Sequence, residues 1–121
     1  MRPLRPIPAL VAAAMLLVPA ASLAWAALPL RIVALTSPVP RGGAARVEAH
    51  TAPGAVCDIE VVYPSGRSRA APLRPRRADG QGRVVWVWRV GRQVAPGKAL
   101  VTVECLLGED ITRARAAFTV R

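Results

Sequence analysis

The sequence predicts an all-β fold, a two-sheet antiparallel β-sandwich of six to seven strands after an N-terminal signal helix. Apolar residues alternate at a period of two along most of residues 27–121, and no segment there has convincing helical spacing. Turn-forming Pro-Gly and Gly-rich sequences recur roughly every ten residues between these segments. Most of the segments also keep one polar face. A small barrel is the second choice, and 121 residues leave room for one domain.

Residues 1–26 are predicted to be a signal peptide. Arg2 and Arg5 supply the positive start, a long apolar run follows, and a small-x-small sequence ends at Ala26. An uncleaved membrane anchor is the alternative, because the uncharged stretch is long enough to span a bilayer. We therefore expect a secreted or cell-surface protein whose domain covers residues 27–121.

Three strands are expected in the first half of the domain. The first is a short strand over residues 31–36, and the second (residues 45–51) and third (residues 56–63) show period-two alternation. Pro53-Gly54 separates the second strand from the third. Because proline presets the first central angle and glycine accepts a positive φ at the second, this pair predicts a type II turn.

The second half of the domain contains the least regular segment and the strongest strand. Residues 67–81 are rich in proline, which permits at most a short edge strand near residues 70–73. Residues 83–90 form the strongest predicted strand, with Trp86 and Trp88 on its apolar face. We expect the two tryptophans in the core. A platform for stacking carbohydrate is the alternative.

The last two strands are predicted to form a tight hairpin. They cover residues 99–107 and 111–120, and Gly108 is the first of the two turn residues, as a type II′ turn prefers. Counting outward from this turn places Glu104 opposite Arg113. Opposite charges on one face support this register.

Cys57 and Cys105 both lie on the apolar faces of their strands, and we expect them to form a disulfide. Two cysteines in an exported chain are most simply read as one bond. The chain-entropy relation gives about 4 kcal/mol for closing such a loop. Three alternatives are weaker. A metal site would need further ligands, a redox pair would usually be closer in sequence, and a catalytic thiol would need a base near it.

The composition argues against an enzyme. The chain has a net charge of +10, with sixteen arginines, one lysine, seven acids and one histidine. His50 is expected on a solvated strand face beside Glu48, and no other residue titrates near neutrality. We expect no catalytic residues, no cofactor and no metal ion.

Five arginines form a candidate polyanion-binding site: Arg67, Arg69, Arg74, Arg76 and Arg77. Prolines between them are expected to hold the segment extended, so that its guanidinium groups project along one edge and bind phosphate or sulfate oxygens. The expected partner is an anionic envelope polymer or lipid head groups, with no physiological nucleic acid. A protein partner is another option, and membrane insertion requires an uncleaved leader.

The arginine segment has two other interpretations. The plainer one is a solvated loop that only aids solubility. The alternative function is a secreted protease inhibitor that presents residues 67–77.

Four segments of the domain form a recognisable pattern: residues 52–61, 63–66, 79–91 and 96–105. In these segments the domain resembles bacterial extracellular immunoglobulin-like or fibronectin type III-like modules. The resemblance implies a β-sandwich that serves as a binding, adhesion or spacer module on the cell envelope, with no catalytic residues. The chain lacks the tryptophan about a dozen residues after the first cysteine, and Val103 replaces the tyrosine before the second. The disulfide is therefore expected outside its usual place in such domains.

Overall fold

The computed structural model describes residues 27–121, so the predicted signal peptide over residues 1–26 lies outside the described residues. The described chain contains no helix. It forms eight strands: β1 (Leu30–Leu35), β2 (Ala44–Thr51), β3 (Val56–Tyr63), β4 (Gly66–Arg67), β5 (Arg76–Arg77), β6 (Arg83–Arg89), β7 (Gly97–Leu107) and β8 (Asp110–Val120). The six longer strands lie where the sequence predicts them, within two residues at each end.

Two antiparallel sheets pack face to face, which confirms the predicted sandwich. One sheet has the order β1-β2-β6, and the other has the order β4-β3-β7-β8, with the short β5 also paired to β3. After β1 the chain crosses from the first sheet to the second. There Val39 forms a parallel bridge with Val120, and its N–H donates to the carbonyl of Thr119 over 2.8 Å.

The core lies between the sheets and is filled by the inward residues of each alternating strand. Trp86 and Trp88 are both buried, so they belong to the core and do not form a surface platform. The ring of Phe118 meets those of Trp88 and Tyr63 edge to face, with centroids 6.0 and 6.2 Å apart. The Trp88 Nε1–H donates to the Tyr63 hydroxyl over 3.0 Å, which satisfies a buried polar group.

Cys57 and Cys105 form the predicted disulfide, and both are fully buried. The two residues face each other directly in the β3–β7 register, so the bond links neighbouring strands of one sheet. In antibody domains the corresponding bond joins the two sheets. The expectation that this bond lies outside the usual place is confirmed.

The glycine of each predicted turn has the positive φ that the turn requires. Gly54 has φ of 81°, as the third residue of a type II turn needs, and Gly108 has φ of 62°, as the first central residue of a primed hairpin turn needs. The β7–β8 hairpin pairs Glu104 with Arg113, as predicted, and these side chains form an ion pair.

The predicted edge strand at residues 70–73 is wrong. These residues form a turn, in which the Leu73 N–H donates to the Ala70 carbonyl over 3.0 Å. Ala70 and Leu73 are partly buried against the core, so these apolar side chains hold a loop against the sandwich and do not belong to a strand. Strand pairing occurs on either side of this turn, in β4 and β5.

Candidate anion-binding site

The predicted arginine segment does not form one continuous extended edge. Arg67 lies on β4 and Arg76 and Arg77 lie on β5, and the turn at residues 70–73 separates the two groups. All five predicted arginines are exposed. The structure therefore divides them between different parts of the surface.

Some of these arginines have partners within the chain. Arg67 forms an ion pair with Glu60 over 3.0 Å, and Arg77 donates to the Gly54 carbonyl over 3.1 Å. Because exposed pairs of this kind contribute little free energy, both guanidinium groups remain available to an incoming anion.

Arg74 has a structural role that the sequence does not indicate. Its carbonyl accepts a hydrogen bond from the Trp86 Nε1–H over 2.9 Å. This bond fastens the middle of the segment to the core, so that the backbone at Arg74 is directed inward. An inhibitory loop that presents residues 67–77 to a protease would need this backbone turned outward.

An open groove of about 460 Å³ lies between residues 65–70 and residues 89–94, and we call it the arginine groove. Three arginines line it, Arg67, Arg69 and Arg89, and no acidic residue does. Its other polar lining residues are Tyr63, Ser65, Ser68 and Gln93. Guanidinium forks, hydroxyl groups and an amide together match the hydrogen-bonding needs of phosphate or sulfate oxygens.

Further arginines surround the groove at the same end of the sandwich. Arg89 donates to the Gly42 carbonyl over 2.5 Å, and the Arg92 side chain lies against the Gly42 backbone. Arg41 is joined to Arg121 by a backbone hydrogen bond of 3.1 Å. The chain segments that meet here, residues 36–45, 63–75, 86–100 and 117–121, contain no acid. This end of the molecule is therefore uniformly basic.

Sequence reasoning identified Arg67 and Arg69 of this groove but missed Arg89. The alternation of β6 already placed Arg89 on the polar face, opposite the two core tryptophans. The missing information was tertiary, because Arg89 lies twenty residues from Arg69 along the chain. Arg76 and Arg77 lie elsewhere, beside Asp79 and Arg83.

The outer face of the first sheet carries a second charge cluster, centred on Glu48. Its carboxylate lies 2.8 Å from the His50 Nε2, 3.0 Å from Arg46 and 3.3 Å from Arg83. The hydrogen bonds from His50 and then Arg46 lower the pKa of Glu48. His50 is exposed beside Glu48, as predicted, and Glu48 stays ionised as the centre of a surface ion-pair network.

Asp79 stabilises the turn that leads into β6. Its carboxylate accepts hydrogen bonds from the backbone N–H groups of Arg83 and Gln81, each over 2.9 Å. These bonds, with that from Arg83 first, lower the pKa of Asp79. A carboxyl group with a lowered pKa is a poor proton donor at neutral pH, so neither Asp79 nor Glu48 is suited to general acid catalysis.

Within residues 27–121, no group of three or more potential metal-ligating side chains occurs. No helix in that same range has the length and hydropathy to cross a membrane. Comparison of the chain with models of known protein families and with curated proteins finds no match.

Proposed function

We propose that the protein is an exported, non-catalytic binding module that holds phosphate or sulfate groups of an anionic envelope polymer in the arginine groove. The observation that carries this proposal is the lining of the groove, which includes Arg67, Arg69 and Arg89 and no acid, with Glu60 pairing to Arg67 from outside the groove. The uniformly basic end around the groove adds long-range attraction for a polyanion. A concave groove suits a polymer chain better than the flat surface of a bilayer.

The sheet order supports the finer assignment to an immunoglobulin-like or fibronectin type III-like module. In immunoglobulin-type sandwiches strands A, B and E share one sheet and strands C, F and G share the other. Here β1, β2 and β6 form one sheet, and β3, β7 and β8 are neighbours in the other. Modules of this type act through surface contacts, which fits the role of a binding, adhesion or spacer domain at the cell surface.

The test compares two variants that lose the same charge. Arg69→Ser with Arg89→Ser removes two of the three arginines of the groove, whereas Arg76→Ser with Arg77→Ser removes two arginines outside it. Binding of the exported protein to labelled inorganic polyphosphate and to heparin is measured by fluorescence anisotropy, over a salt series. We expect the groove variant to lose at least about tenfold in affinity and the β5 variant to lose about twofold or less.

Salt dependence and folding controls sharpen this comparison. If three arginines contact the polymer, wild-type affinity falls about 20-fold between about 50 and 200 mM salt, and the slope decreases with each arginine removed. Because the Arg89 side chain also donates to the Gly42 carbonyl, replacing it could affect folding as well as binding. Arg69→Ser alone is therefore measured as a groove variant that keeps this hydrogen bond. Equal losses in the groove and β5 variants would show that net charge alone drives binding. Binding to anionic lipid vesicles but to neither polymer would redirect the proposal to a membrane surface.

A further inference from the structure

The outer face of the five-stranded sheet carries most of the exposed large apolar side chains. Five of the eight such residues in the described chain lie on it: Val56, Val62, Leu100, Leu106 and Ile111. Ile111 is 60% exposed and Leu100 is 42% exposed. Such a concentration on one sheet face indicates a surface that is covered by a partner.

The strand registers arrange this face into four rows across β3, β7 and β8. The rows are Val56–Leu106–Ile111, Asp58–Glu104–Arg113, Glu60–Thr102–Arg115 and Val62–Leu100–Ala117. Two apolar rows thus enclose two charged rows. Within the charged rows the acids lie towards β3 and the arginines lie on β8.

The charge of this face is balanced, in contrast to the rest of the domain. Its four rows, together with Arg67 of β4, carry three acids and three arginines, whereas residues 27–121 as a whole carry fifteen basic and seven acidic side chains. Arg113 pairs with Glu104, and Arg67 pairs with Glu60. Asp58 and Arg115 form no ion pair with any other described residue. Neutrality allows two copies of this face to approach without net repulsion.

The pattern is self-complementary under one particular rotation. A two-fold axis parallel to β7 and directly above it places β3 of one copy over β8 of the other, with every row facing the same row. Asp58 and Glu60 then face Arg113 and Arg115 of the second copy. A two-fold axis across the strands would instead place acids over acids, so the charges select the first arrangement.

Residues of β7 lie on the proposed axis and meet their own counterparts. Leu100 and Leu106 form apolar contacts with the same residues of the second copy, as an isologous interface requires. Glu104 also meets its counterpart, and the pairing of each Glu104 with its own Arg113 compensates this charge. The apolar rows thus supply attraction at both ends of the interface, while the outer charged strands fix its orientation.

We propose that the protein forms a symmetric dimer through the outer face of the five-stranded sheet, with β7 along the two-fold axis. The four rows span about 20 Å along the strands, and three strands at a spacing of about 4.8 Å span about 14 Å across them, so each copy covers about 300 Å². A total of about 600 Å² lies below the size of standard specific interfaces and indicates a weak, concentration-dependent dimer. Of the three arginines of the groove only Arg67 also borders this face, so Arg69 and Arg89 stay accessible in the dimer and the valency of the module doubles.

The test uses a residue on the axis. Sedimentation velocity of the exported protein is measured over a concentration series that reaches the millimolar range, where the wild type is expected to pass from monomer to dimer. Leu106→Glu and Leu106→Lys each place two like charges at the axis and are expected to raise the dimer Kd by at least about tenfold. An equimolar mixture of the two variants places opposite charges there and is expected to restore dimerisation as a heterodimer.

The matched control is Val87→Glu, because Val87 is 49% exposed on the outer face of the other sheet. This variant is expected to dimerise like the wild type, and the melting temperatures of all variants are compared to confirm folding. A wild type that stays monomeric throughout the series overturns the proposal, as does a Leu106→Glu variant that dimerises normally. If the mixed Leu106 variants stay monomeric, the axis along β7 is wrong.

Discussion

The hydrogen bond between Trp88 and Tyr63 gives a sharp test of how the core is held together. The buried indole N–H of Trp88 donates to the hydroxyl group of Tyr63, which is only 5% exposed, and the bond joins the two sheets. Tyr63→Phe keeps the ring and its edge-to-face contact with Phe118 but removes the acceptor. The Trp88 N–H then remains buried without a partner, at a cost of about 1–3 kcal/mol.

The expected loss is large enough to measure by two methods. A change of 1 kcal/mol shifts the melting temperature of a domain of this size by about 4–8 °C. Guanidinium unfolding, followed by tryptophan fluorescence, gives the free energy directly, and an unchanged m-value shows that two-state unfolding persists. A double-mutant cycle with Trp88→Phe supplies the control. In that background Tyr63→Phe is expected to cost less than about 0.5 kcal/mol, because the donor is absent.

Either of two results would refute this reasoning. If Tyr63→Phe has the stability of the wild type within about 0.5 kcal/mol, the indole N–H finds another acceptor and the bond does not hold the sheets together. An equal cost in both tryptophan backgrounds would assign the effect to packing around Tyr63 and not to the hydrogen bond.

Three further predictions address the disulfide, a turn and acid stability. Reducing the Cys57–Cys105 bond is expected to lower the free energy of unfolding by about 4 kcal/mol, because a loop of 48 residues is no longer closed in the unfolded chain. Calorimetry with and without reductant measures this loss, and equal melting temperatures would contradict the prediction. Gly82→Ala is expected to lower the free energy of unfolding by about 2 kcal/mol or more, because Gly82 has φ of 78° and an added Cβ would collide with a β2 carbonyl. Gly80→Ala serves as the control, since a Cβ at Gly80 meets no atom within 4 Å. Similar stabilities for these two variants in urea unfolding would argue against the close approach of Gly82 to β2. Because the pKa of Asp79 is lowered from 3.8, its ionised form contributes stability above the unfolded pKa and loses that contribution as the pH falls through the folded value. Asp79→Ala is therefore expected to flatten the pH profile of stability below about pH 5, and a profile parallel to the wild type would count against the backbone hydrogen bonds.

The sequence predicts the fold well wherever local pattern and tertiary burial agree. Residues 56–63 match β3 at both ends, and the hairpin register follows from Gly108 because a shift by one residue would turn the apolar face outward. The pattern fails at residues 70–73. Short apolar runs near proline do not distinguish an edge strand from a turn that packs against the core, and Ala70 and Leu73 belong to the second class.

The candidate site is only partly predictable, because its residues come from separate parts of the chain. Arg67 and Arg69 stand out as members of a dense arginine run, whereas Arg89 is a single outward residue on β6. It lines the same groove as Arg69 only because residues 65–70 and residues 89–94 come together in the folded chain. The sequence likewise predicts the pairing of the cysteines but not their position on adjacent strands.

The position of the disulfide within one sheet determines how the domain responds to mechanical force. If tension acts on the two ends of the described chain, the Cys57–Cys105 bond carries the load past every residue between these cysteines. Only residues 27–56 and 106–121 can then extend, by about 160 Å at roughly 3.5 Å per residue, which is about half of what the unbonded chain would release. The parallel contact of Val39 with Val120 is loaded in shear at the start of such an extension. In a domain with this design, the disulfide limits the extension under tension to about half of the described chain.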